Sequence, residues 1–185
     1  MALEWKRVAR RIRVPLGFAF AVFYFWLARP GWLFLGLSLI LVAPGLLLRG
    51  YASGYVKKNA ELTVTGPYAH TRNPLYLGSM LIAFGFAVAA RSVWIALAMV
   101  VLFAAIYIPV IRGEEEYLRS AFPGFDAYAE RVPRLVPRIS SSKQPGEAGG
   151  VFSAVLYRKH RETNALLGAA AMYAALILKL MFMMR

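Results

Sequence analysis

The chain has 185 residues, of which 59% are hydrophobic and 17% charged, with a net charge of +13 and a mean hydropathy of +0.54. A soluble domain carries about a quarter charged residues, so this composition points to a membrane protein of one domain, residues 1–185. The absence of cysteine excludes disulfides, thiolate metal sites and cysteine nucleophiles. The only histidines, His70 and His160, lie far apart in sequence, which argues against a histidine metal site, and no metal is expected. The basic residues flank apolar blocks and form no stripe interleaved with aromatics, so the expected partner is the lipid bilayer with its anionic headgroups, not nucleic acid.

The apolar blocks predict an all-α integral membrane bundle of about five transmembrane helices. Residues 1–13 carry Lys6, Arg7, Arg10, Arg11 and Arg13 and lead into a first helix over 14–28. No small-residue cleavage site follows it, so it reads as a retained span and not a signal peptide. Arg29-Pro30-Gly31 breaks the helix, and a second span follows over 32–48, with Pro44 expected to kink it. A single helix over 14–48 would be about 52 Å long, well beyond a hydrocarbon core of about 30 Å. A polar segment over 49–74 precedes the third span, 75–90. The Arg91-Ser92 turn joins this to a fourth span over 93–111, and the two form an antiparallel hairpin. A second polar segment covers 112–139, and residues 140–150 have the composition of a flexible linker. Residues 151–162 read as a short interfacial helix, and 165–184 as the last span, whose Lys179 is close enough to the end to snorkel.

Eighteen of the Lys and Arg residues fall on one side of this topology and four on the other, Arg29, Arg91, Lys179 and Arg185. That asymmetry places the N-terminus and both long polar segments in the cytoplasm. The third-and-fourth-helix hairpin then brings the two segments together. One carries Arg72 and Asn73 just before a helix, where amide groups suit an anion. The other carries Glu114, Glu115 and Glu116, which suit a cation or amine. A zwitterionic ligand with extra positive charge fits between them.

These residues resemble a known family. "GPYAHTRNPLYLG" over 66–78, "EEEYL" over 114–118 and "FPGFDAYAERVPRLVP" over 122–137 are similar to the motifs of the isoprenylcysteine carboxyl methyltransferase and phospholipid methyltransferase group. The resemblance covers about residues 50–138. It implies an S-adenosyl-L-methionine-dependent methyltransferase with cytoplasmic catalytic loops, a lipid-like or prenylcysteine-like acceptor, and S-adenosyl-L-homocysteine as product. It further implies a donor site made of Ala60, Glu61, Leu62, Thr63, Tyr68, Arg72, Asn73, Pro74, Leu75, Tyr76 and Glu114. Glu114, Glu115 and Arg112 are the candidates for catalysis. Two positions depart from the pattern. Asn73 replaces a histidine, keeping hydrogen bonding but not titration. Val110 stands where the prenylcysteine enzymes carry an arginine, and Arg112 is about 200° further round a helix. A carboxylate acceptor needs no base. An amine acceptor needs one, and Glu114, Glu115 and His70 are all within the candidate segments. A nicotinamide-dependent reductase of the sterol-reductase type and a non-enzymatic membrane scaffold are the alternative readings.

Overall fold

A computed structural model describes residues 20–57, 60–140 and 150–185. The basic N-terminal flank, the first half of the 14–28 span, Lys58 and most of the 140–150 linker lie outside the described residues. Among the described residues the fold is all helical. A helical segment over 20–27 (α1) is followed by α2, Trp32–Ser53, a 3-10 turn at Gly66–Ala69, α3, Pro74–Ala90, and α4, Val93–Ala121. Then come α5, Phe125–Arg131, α6, Ala154–Lys159, and α7, Thr163–Met183.

Local sequence explains the boundaries. Pro30 and Gly31 separate α1 from α2, and Gly31 sits in extended backbone at the start of α2. Pro74 occupies the first turn of α3, where its missing N–H costs nothing and its φ is already helical. The α3–α4 turn puts Arg91 at φ 50°. That left-handed conformation is unusual for a residue other than glycine, and the Arg91 guanidinium rests over the Phe34 ring at 5.0 Å.

Two helices run past the ends that hydrophobicity alone predicts. α2 continues to Ser53 and α4 to Ala121, because Arg49 finds a buried partner and the glutamates of α4 are good helix formers. Glu114–Glu116 therefore lie inside a helix. α2, α4 and α7 are long and apolar enough to cross a membrane, with 22, 29 and 21 residues against a requirement of about 20. α3 is apolar but has 17 residues, and α1 begins outside the described residues. The described helices thus supply three spans of sufficient length, where the sequence predicts about five in the whole chain. Their outer faces are strongly apolar. Trp26 is 78% exposed, Leu47 73% and Phe182 73%, a surface that suits lipid and not water.

The tightest packing is between α2 and α3. Ser38, Val42, Gly45 and Arg49 recur at helical spacing on α2 and face Gly78, Ile82 and Gly85 on α3. A Cβ added at Gly45 would stand 2.8 Å from the Gly78 carbonyl oxygen, and one at Gly78 would stand 2.8 Å from the Gly45 oxygen. Small residues at such a crossing let backbones approach where no hydrophobic force operates between helices. Around it lies the main core, with Tyr24, Leu35, Val42, Phe86, Ile95 and Leu176. The Tyr24 hydroxyl donates to the Phe86 carbonyl at 2.8 Å, and Ser38 and Tyr173 hydroxyls lie 2.6 Å apart, joining α2 to α7.

The ends of the bundle differ in character. At one end the two short turns meet, with the Arg29 amide donating to the Ala90 carbonyl at 2.8 Å and Lys179 bonding the Phe25 carbonyl. At the other, the long polar segments fold over a second small core of Phe125, Tyr128 and Val132, against which Leu62, Val64 and Leu118 pack.

Gly78→Val is expected to lower stability in detergent by about 1–3 kcal/mol through overpacking. Gly36, whose added Cβ would meet nothing within 4 Å, is the control. Gly36→Ala is expected to leave stability unchanged or raise it by about 0.5–1 kcal/mol. Thermal or denaturant unfolding of the two variants checks this.

Candidate functional site

The candidate residues approach one another where α3 begins and α4 leaves the apolar region. Their arrangement starts from a buried carboxylate. Glu115, on α4, is 4% exposed and is held by three side chains from elsewhere. Arg134 donates to it through Nε at 3.0 and 3.1 Å and through Nη2 at 2.7 Å. Arg72 Nη2 lies 3.5 Å from Oε1, and Asn73 Nδ2 donates to Oε1 at 3.4 Å. A carboxylate can accept this many bonds and a two-pronged guanidinium matches it well. The bonds to Glu115 hold the Arg134 guanidinium above its ordinary basicity.

The backbone around Arg134 is tied to the segment before α3. The Arg72 amide donates to the Pro133 carbonyl at 2.9 Å. The Thr71 hydroxyl lies within 3.2 Å of the Arg134 carbonyl and 3.1 Å of the Leu135 carbonyl. Asn73 Nδ2 also donates to the Arg134 carbonyl at 3.0 Å. Asn73 stands at the helix-start position of α3 but makes no capping bond. Its amide is committed to the Glu115 cluster instead. His70 Nδ1 lies 2.9 Å from the Arg138 carbonyl, an oxygen that can only accept, so this nitrogen carries the proton.

One residue earlier on α4, Glu114 points elsewhere. It is exposed, and its Oε2 accepts from the Tyr76 hydroxyl at 2.8 Å. Adjacent helical positions differ by about 100°, so neighbouring glutamates take different environments. The Tyr76 ring meets Tyr107 edge-on at 5.5 Å, and Tyr107 stacks on Phe103 at 3.9 Å. A carboxylate and a run of aromatic rings thus lie side by side. Arg72, which belongs to the Glu115 cluster, has its Nε buried without a hydrogen-bond partner among the described residues. A buried donor of this kind is costly unless something accepts from it.

The other candidates are placed as follows. Pro74 and Leu75 form the first turn of α3 beside Tyr76, and the Leu75 carbonyl accepts from Ser79 at 2.9 Å. Tyr68 is 8% exposed. Its carbonyl accepts from the Tyr128 hydroxyl at 2.7 Å, and burial pushes its own hydroxyl well above the usual tyrosine range. Ala60 and Glu61 are exposed. Glu61 pairs with Lys57 at 3.0 Å, and Thr63 Oγ1 accepts from the Lys57 amide at 3.4 Å. Leu62 packs on the Phe125 cluster. Arg112 is exposed on α4. Structure therefore joins Arg72 and Asn73 to Glu115 and Tyr76 to the adjacent Glu114, while of residues 60–63 only Leu62 is tied in, through the small core. Sequence reasoning gives Arg134 a part in binding headgroups or pinning its loop and none in the chemistry, and it passes over Tyr107. The motif "RVPRLVP" carries a signal for the first. The second is an aromatic inside an apolar block, with nothing local to mark it.

An all-helical membrane protein with this cluster at one end of the bundle is the class that the fold defines. Residues 32–124 match the family model described as phospholipid methyltransferase, just over half of the chain. The chain belongs to that family. Its relatives include the nickel-cobalt-cadmium resistance protein NccN of Alcaligenes xylosoxydans xylosoxydans, 40% identical over 90 residues, which are 49% of this chain and 41% of that protein. They also include the cobalt-zinc-cadmium resistance protein CzcN of Cupriavidus metallidurans, 40% identical over 106 residues, 57% of this chain and 48% of that protein. The match thus spans less than half the length of either relative. No solved structure matches the chain.

Removing the buried carboxylate separates its role from that of its neighbour. Glu115→Ala leaves Arg72 and Arg134 without their shared partner and is expected to cost about 3–5 kcal/mol, as for a broken buried ion pair. Glu114→Gln, at an exposed hydrogen bond, is expected to cost at most about 0.5–1.5 kcal/mol. Equilibrium unfolding in detergent compares them.

Proposed function

We propose that the chain is an S-adenosylmethionine-dependent methyltransferase that acts on a lipid-like or prenylcysteine-like acceptor at the membrane. The observation that carries this reading is the 2.8 Å bond from Tyr76 to Glu114, which closes the distance between the two motif segments of the family. The residues fit the donor. Glu114 and the faces of Tyr76 and Tyr107 suit an amino group and a sulfonium. The unpartnered Arg72 Nε suits the donor's carboxylate, with Asn73, Pro74 and Leu75 shaping the same turn. Ala60, Glu61, Leu62 and Thr63, with Tyr68 packed behind, form the outer edge of the proposed site. When bound, the donor supplies an electrophilic methyl group.

The protein's own part is to position, to exclude water and to manage one proton. Glu115 is occupied by Arg72, Asn73 and Arg134, so we assign it to holding the site together. Glu114 is the carboxylate left to take a proton from an amine acceptor, and a carboxylate acceptor needs no such step. Arg112 is available on the outer face of α4 for an anionic acceptor headgroup. We place both polar segments in the cytoplasm, on the strength of the eighteen-to-four distribution of Lys and Arg.

The names of the two relatives raise a direct role in metal binding. The residues here do not favour it. The chain has no cysteine, and among the described residues no three His, Asp or Glu side chains gather as a metal site.

Titration calorimetry of the purified full chain with S-adenosylhomocysteine tests the reading. Glu114→Gln and Tyr76→Phe are each expected to weaken binding about tenfold, the size of a lost charge-assisted hydrogen bond. Glu116→Gln is expected to leave it unchanged. Absence of binding by well-folded wild-type protein at millimolar ligand contradicts the proposal. Incubation of membrane lipid extract with labelled donor, followed by mass spectrometry, identifies the acceptor.

A further inference from the structure

The C-terminal helices α6 and α7 lie outside the stretch that matches the family, yet the link between them supplies the acid that steadies the start of α3. Arg49, near the end of α2, divides its guanidinium between two other elements. Nε and Nη2 donate to the two oxygens of Glu162 at 3.1 and 2.8 Å. Nη1 donates to Ser79 Oγ at 2.5 Å and to the Leu75 carbonyl at 3.4 Å. Glu162, just before α7, has a side chain 8% exposed. The approach depends on Gly78, where an added Cβ would stand 2.6 Å from Arg49 Cγ. His160 adds a second tie between the C-terminal part and α2, through Nδ1 to the Ser53 carbonyl at 3.0 Å.

A two-pronged carboxylate fixes both the position and the plane of a guanidinium. With Nε and Nη2 held by Glu162, the remaining arm of Arg49 is aimed at the first turn of α3. Leu75 and Ser79 bracket Tyr76 in that turn. Small displacements of a supporting residue move the groups it orients, which is why sites are held by a second ring of contacts.

We propose that Arg49 and Glu162 are positioning residues. Glu162 orients Arg49, Arg49 sets the first turn of α3, and that turn presents Tyr76 to Glu114. The C-terminal helices are then part of the machinery of the site and not only an additional membrane anchor. The effect on ligand binding rests on the function proposed above. The effect on α3 does not.

The test uses the full chain in nanodiscs of phosphatidylcholine and phosphatidylglycerol. Ser79→Ala removes one acceptor of Arg49 and leaves the pair with Glu162 intact. Amide exchange at Leu77–Met80 is expected to accelerate about fivefold, and S-adenosylhomocysteine affinity to fall about fivefold, within the usual range for coupling through packed elements, with the melting temperature unchanged. Arg49→Glu combined with Glu162→Arg restores an ion pair between α2 and the start of α7 but offers no donor to Leu75. Its melting temperature is expected to recover relative to Glu162→Gln, while exchange in α3 and affinity do not. If the swapped pair recovers all three and Ser79→Ala changes none, Arg49 and Glu162 are a tether only and the proposal is overturned. If wild-type protein binds no nucleoside, the function proposed above fails, and the exchange measurement alone decides the positioning role. If Glu162→Gln does not fold, Ser79→Ala decides it.

Discussion

The arrangement of the polar end depends on one buried carboxylate. Glu115 collects Arg72 and Asn73 from the segment before α3 and Arg134 from the segment after α5. Glu115 and Asn73 are buried and Arg72 nearly so, while the Arg134 side chain stays half-exposed. An isolated guanidinium or carboxylate in a low-dielectric setting is expensive, and mutual pairing is what makes its burial tolerable. The backbone bonds from Arg72 to Pro133 and from Arg138 to His70 then lock the two segments side by side. With Glu115 so committed, Glu114 is turned outward beside Tyr76. The same helix thereby places one acid in a structural cluster and its neighbour on the exposed side beside Tyr76; helix geometry separates the two directions by about 100°, and the tertiary contacts set which acid takes which.

That cluster is set on a bundle whose strongest contact is made of small residues. Gly45 and Gly78 let α2 and α3 approach so closely that a methyl group at either would collide with backbone. Close approach brings Arg49 of α2 within reach of Ser79 and Leu75 of α3. Packing in the apolar region and polar contacts at its edge are therefore linked. α4 packs more loosely, with a broad exposed apolar face that includes Trp94 and Val101. Its register against α3 is set at the polar end, by Tyr76, Glu114 and Glu115.

Much of this was legible in the residue order. The Arg29-Pro30-Gly31 break, the Arg91-Ser92 turn and the start of α3 at Pro74 each have a local chemical cause. The proximity of "RNPLY" and "EEEYL" follows from two helices joined by a two-residue turn. Helix ends were less legible, because α2 and α4 continue through polar residues that a hydrophobicity argument assigns to loops. Glu114 and Glu115 are indistinguishable in sequence. Their separation depends on the rotation of α4, which only tertiary contacts set. The Arg49–Glu162 pair joins residues 113 positions apart, with no periodicity or motif to announce it. Asn73 illustrates a further limit. It keeps the hydrogen bonding expected of it, but its partners, Glu115 and the Arg134 carbonyl, lie in segments that nothing local to Asn73 identifies.

Whether the two segments form one ligand site is tested most directly by photolabelling. The full chain would be irradiated with an azido derivative of S-adenosylmethionine and the adducts mapped by mass spectrometry. Adducts are expected on peptides from both Gly66–Gly78 and Phe103–Leu118, and excess unlabelled S-adenosylhomocysteine should suppress both together. Labelling confined to one segment, or unaffected by the competitor, would contradict a shared site built around Tyr76 and Glu114.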